Sequence, residues 1–201
     1  MLALEPSEVQ FSARFTVPET RVHYTKFLTR AALLSTILLA GCSPSIHDVT
    51  AAGDVEGLSA ILDSDPELLK DENGLGQQAV HYAATKNRLD TLEVLHSHGA
   101  DLSAQDHTGL TALHIAAQGD YRHVLRFLIK NGANFRLKDD FGDTPLHRAA
   151  MFGSSKAVND LLKVGADAHS VNHEGKTPLD LARHFEHEMI VNRLALIVGN
   201  K

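Results

Sequence analysis

The chain has 201 residues, of which 43% are apolar and 22% charged, an ordinary balance for a globular protein. Aromatics make up only 5% and Trp is absent, so the core must be aliphatic. A net charge of −6 argues against a nucleic-acid partner, because phosphate binding needs a basic face.

Residues 1–21 show no apolar periodicity and read as a disordered leader. Lys26 and Arg30 then precede a short apolar run at 31–40, which ends in Leu39-Ala40-Gly41-Cys42. A membrane-spanning helix needs about 20 apolar residues, so this run is too short to be one. A basic flank, a short apolar stretch and small residues before a cut form the pattern of a secretory signal peptide. The end of the run resembles the lipobox of bacterial lipoproteins. That resemblance implies cleavage before Cys42 and lipidation (palmitate among the acyl groups) of Cys42, with the multiple acyl chains anchoring the protein firmly. Ser43 in place of Asp implies the outer membrane, facing the periplasm. Cys42 is the chain's one cysteine, so no intramolecular disulfide is possible. A basic flank normally lies near the amino terminus, so the expected translation start is near Val22. The expected organisation is a leader plus signal peptide over 1–41, a lipidated tether over 42–45 and one folded domain over 46–201.

The rest of the chain repeats itself. His81, His114 and His147 recur every 33 residues, as do Gly76, Gly109, Gly142 and Gly175, and Gly99, Gly132 and Gly165. The segments GQQAVHYAA (76–84), GLTALHIAA (109–117), GDTPLHRAA (142–150) and GKTPLDLAR (175–183) fall on that step. An eroded copy over 45–69 aligns with a step of 34, placing His47 over His81. The pattern resembles the ankyrin repeat, with five copies starting near residues 43, 73, 106, 139 and 172. The resemblance implies an all-α solenoid of helix-turn-helix units with short β-hairpin-like fingers. Thr111, Thr144 and Thr177 suit helix N-caps, and Pro145 and Pro178 suit the first helical position. The alanine pairs 83–84, 116–117 and 149–150 permit close helix approach. No single repeat can bury its apolar face, so the copies must stack.

The thirteen histidines invite a metal reading. His47, His81, His114 and His147 occupy the motif position, where the family uses the imidazole structurally. His184, His187 and Glu188 could share one helix face, but they lack the ligand order of a zinc peptidase and fall short of a closed site. No metal or cofactor is expected, and no nucleophile with a nearby base is visible, so the chain reads as a non-enzyme. Asp139, Asp140 and Asp143 read as a solvated loop with a cap. The resemblance implies a protein partner held on a concave face of fingers and first helices. The candidate contacts there are Tyr82, Lys86, His107, Gln118, Phe141, Arg148, Met151, Phe152 and His173, forming a mixed apolar–basic patch. His107, Phe141 and His173 fall at finger tips, as do Asn73 and Asp140, and Phe141 is expected to be exposed there, while Ile115 and Leu181 are expected to pack between repeats. The leading expectation is a monomeric, lipid-anchored adaptor in the bacterial envelope. An immunity or inhibitor protein for a secreted toxin, an envelope factor supporting peroxide resistance beside a catalase, and a cytoplasmic adaptor with a spurious signal remain open.

Overall fold

The computed structural model describes residues 45–199. The leader, the basic flank, the apolar run and Cys42 lie outside the described residues. Within them the chain forms ten α-helices and no strand. They come as five successive pairs. The first pair is α1 (Ile46–Ala52) and α2 (Val55–Ser64), followed by a 3-10 turn at Pro66–Lys70. Then come α3 (Ala79–Thr85) and α4 (Leu89–Ser97), and α5 (Ala112–Gln118) and α6 (Arg122–Lys130). The last two pairs are α7 (Pro145–Met151) with α8 (Ser155–Lys163), and α9 (Pro178–His184) with α10 (Glu188–Val198).

Each first helix is only 7 residues long, too short to stand alone, so its ends and its packing must hold it. Thr111, Thr144 and Thr177 accept from the backbone N–H three residues on, and Pro145 and Pro178 open their helices. The second helices of repeats two to four end before Gly99, Gly132 and Gly165, all at positive φ. The interior is aliphatic, as the composition requires. Ala83, Ala84, Ala116, Ala117, Ala149 and Ala150 are fully buried on the first helices, while Leu92, Leu95, Leu125, Leu128 and Leu161 fill the space under the second helices. Neighbouring first helices therefore meet more extensively than neighbouring second helices, which curves the stack toward the first-helix side.

The motif histidines join one repeat to the next. Nδ1 of His114 accepts from the backbone N–H (3.2 Å) and hydroxyl (2.9 Å) of Thr111, and its Nε2 donates to the Asp143 carbonyl at 3.1 Å. His147 does the same between Thr144 and the Lys176 carbonyl, and His81 between the Gln78 N–H and the Leu110 carbonyl. In repeat one the motif position expected of His47 falls on Asp48, 33 and not 34 residues before His81, and the work is divided. Asp48 takes the cap of Ser45, and His47 donates across to the Gln77 carbonyl at 3.0 Å. Repeat five, where the motif His is Asp180, keeps only the inner half. Asp180 accepts from the N–H and hydroxyl of Thr177, and it has no donor to send onward.

A second tie runs along the back. Asp160 on α8 is buried and accepts two bonds from Arg126 and one from Arg122, both on α6. Hydrogen bonding from Arg126 lowers the Asp160 carboxyl pKa to about 2, against the opposing effect of burial.

These couplings set the response to acid. Burial pushes the His114 imidazole down to about 4, and burial lowers His147 as well. Both must be neutral to accept at Nδ1. Above the unfolded value near 6.5 neither state is protonated and the full stability is present. Between about 6.5 and about 4 the unfolded chain takes up protons that the folded chain refuses, so stability falls with pH. The His114 contribution is on the order of 3 kcal/mol, fully lost below the folded value. Urea unfolding measured from pH 7.5 to 4 should show that decline, and His114→Gln should flatten it. A pH-independent midpoint would contradict the assignment.

Candidate protein-binding face

Each finger is a tight turn closed by its own backbone. Asp106 and Asp139 donate their N–H to the carbonyls of Leu110 and Asp143, and Gly109 and Gly142 donate back to Asp106 and Asp139. These are hairpin-like bonds without an extended strand. Asn73, Asp106, Asp139 and Asn172 hold the turns, each accepting at Oδ1 from the N–H groups two and four residues on. Successive fingers are bonded edge to edge. His107 donates to the Leu75 carbonyl, Asp140 to Thr108 and His173 to Phe141. Gly142 has φ +76°, and a Cβ there would sit 2.6 Å from the His173 ring and 2.7 Å from its backbone nitrogen. Only glycine fits a left-handed turn under that imidazole.

The acidic cluster of the fourth finger is not the solvated loop that its composition suggests. Asp139 and Asp143 are buried, and only Asp140 is exposed. The cause is Arg148 on α7, which donates to Asp139 through Nε at 2.8 Å and through Nη2, and lies 3.8 Å from Asp143. Asn172 of the fifth finger donates to Asp143 at 2.8 Å. The Arg148 guanidinium also lies over the Phe141 ring, 5.5 Å from its centroid.

Four of the nine candidate contacts meet around this network. Phe141, Arg148, Met151 and His173 line one groove of about 390 Å³ between the fingers and first helices of repeats four and five. Leu181, His184 and Phe185 complete the wall toward repeat five. Arg148 is largely covered, with a side chain 13% exposed and its charge matched by two aspartates, so the patch is apolar and acidic where the sequence suggests apolar and basic. Phe152 lies outside the groove, 48% exposed, at the position Phe185 holds one repeat later. Lys86 and Gln118 are exposed at the ends of α3 and α5. Exposed His107 covers Gly76 at the second finger. Tyr82 is half-buried, its hydroxyl bonded to Asn73 and its ring 4.9 Å from that of His47. Asn73 therefore closes a turn and holds Tyr82, in place of the partner contact expected of it. Ile115 packs against the core and Leu181 is buried.

Sequence reasoning missed the turn residues, although Asn73, Asp106, Asp139 and Asn172 stand on the 33-residue step. It also missed Asp160, whose Arg partners lie 34 and 38 residues away with no signal linking them. His187 is engaged too, its Nε2 donating to the Met151 carbonyl at 2.9 Å. Among the described residues no three His, Cys, Asp or Glu side chains gather as metal ligands.

A family model described as ankyrin repeats (3 copies) matches residues 46–139 and 118–199, which together span nearly all of the described chain. Comparison with curated proteins finds no match.

Arg148 and Phe141 separate the structural part of this face from its exposed part. Arg148→Met strands two buried carboxylates without their cation and should cost about 3–5 kcal/mol of unfolding free energy. Phe141→Ala removes an exposed ring and should stay within about 0.5 kcal/mol of the parent. Urea denaturation of both variants checks the contrast, and an inconsequential Arg148→Met would sink the network's structural role.

Proposed function

The chain belongs to the ankyrin-repeat family, and from that premise we propose that it is a lipid-anchored adaptor, held in the bacterial envelope through Cys42, that grips a protein partner with its finger and first-helix face. The family is a protein-interaction module and generally non-enzymatic. The observation that carries the reading is that the large aromatic side chains left in solvent among the described residues stand on the fingers and first-helix ends. Phe141 is 63% exposed, Phe152 48% and Phe185 45%, beside a groove that Met151 and Leu181 also line. Such side chains in a polar rim are what partner surfaces bury. The candidate contacts fall on rows set by the 33-residue step. Tyr82 and Arg148 share one row, Gln118 and Met151 a second, Lys86 and Phe152 a third, and His107 and His173 a fourth. The anchor reading is supported by the order of Lys26, Arg30, the apolar run and Leu39-Ala40-Gly41-Cys42. Under that reading the mature chain faces the periplasm from the outer membrane and acts as a monomer.

Two experiments test the two halves. A photo-cross-linking amino acid at Phe141 or Gln118 should give a discrete adduct in living cells, whereas the same group at Glu93 or Lys130, exposed on the second helices, should give none. Adducts from the second helices alone would move binding to the other side. Cells fed a palmitate analogue should label the native protein and not Cys42→Ala. Absence of label from both would remove the anchor and the envelope location while leaving the adaptor role.

A further inference from the structure

The groove between repeats four and five has a definite charge as well as an apolar wall. Arg148 is matched at its floor, since its guanidinium donates to Asp139 and lies 3.8 Å from Asp143. Those three side chains together hold one net negative charge. Lys176, the other cation on the lining, is bonded to Glu174 at 2.7 Å. Asp140 adds a further negative charge on the exposed rim. With the histidines neutral, the lining and the Asp139 behind it sum to two negative charges, on a protein that is itself acidic. Between the charges stand Phe141, Met151, Leu181 and Phe185. The Phe141 ring already has one guanidinium over it and keeps most of its surface open.

We infer that the occupant of this groove is a segment of the partner protein that carries a Lys or Arg beside bulky apolar residues. The aliphatic stem of the basic side chain lies along Phe141 and Phe185, and its charged head meets the Asp140 carboxylate on the rim, within the net negative field to which the Lys176-bonded Glu174 belongs. This rests on the adaptor reading above and adds the chemistry of the partner. An acidic segment would enter a net negative field whose two cations are already bonded. An uncharged apolar segment would dehydrate the rim carboxylates with nothing in exchange. A basic–apolar segment satisfies both the walls and the rim.

The test is selection of random 12-residue peptides displayed on phage against the immobilised full chain. Synthetic fluorescein-labelled copies of the enriched peptides are then titrated by anisotropy. Enrichment of Lys or Arg next to Leu, Phe or Met is the expected result. Affinity should fall at least tenfold when that Lys or Arg becomes Gln, in the Asp140→Lys/Glu174→Lys protein, and in Phe141→Ala. Binding should also weaken as NaCl rises from 50 to 500 mM. Asp140, Glu174 and Phe141 are exposed, and an unchanged urea midpoint confirms that each variant is folded. Enriched peptides that are acidic or uncharged, or whose affinity ignores the rim reversal or Phe141→Ala, overturn the inference. So does failure to enrich any peptide. The in-cell cross-links judge the adaptor role separately, so either reading can fail without the other.

Discussion

The imidazole that joins each repeat to the next is the constraint on which the rest of this molecule depends. A neutral histidine has one acceptor nitrogen and one donor nitrogen. In His114 and His147 the acceptor is spent inside the repeat, on the threonine that caps the first helix, and the donor is spent on the following finger. One ring thus fixes a helix start and the distance to the neighbouring unit. Adding or removing a residue between the histidine and the next finger would carry the carbonyl away from Nε2. The strict step of the three central histidines follows from that reach. The two ends of the stack follow the same rule. Repeat one divides the two tasks between Asp48 and His47, and in repeat five the acceptor-only side chain of Asp180 performs the capping task alone.

From this spacing comes the shape, and from the shape the binding face. Alanines let the first helices close up while leucines hold the second helices apart, so the fingers and first helices come to line the inner side of a curved stack. The fingers then lie edge to edge, tied by one backbone bond at each step from Leu75 to His173. Such a surface places side chains in fixed rows, and partner choice depends on which residues occupy them. Rigidity is an advantage here, because a preformed surface loses less conformational entropy on binding.

Under the groove, structure and recognition share side chains. Arg148 has the chemistry of an interface hot spot, yet its guanidinium is committed to Asp139 and Asp143 and braces the fourth finger against α7. Its contribution to a partner is indirect. It positions Phe141 and fixes the sign of the charge beneath the groove. A patch that reads as apolar and basic in the sequence is for this reason apolar and acidic in the protein.

The sequence by itself determined the repeat, the number of copies, the capping threonines, the alanine faces and the structural role of the motif histidines. All of these are local or periodic, so they recur on a fixed step and can be read from one chain. It also placed Phe141 in solvent, because a finger tip has no second layer to cover it. Only the tertiary structure decided where the charges go. Arg122 and Arg126 converge on Asp160 from another repeat, Asn172 reaches back to Asp143, and Arg148 draws two aspartates out of water. Those partners are separated by up to 38 residues and belong to no common motif. Their pairing depends on how side chains from successive repeats project into the space between them, and the energy of a charge depends on what shares that space with it.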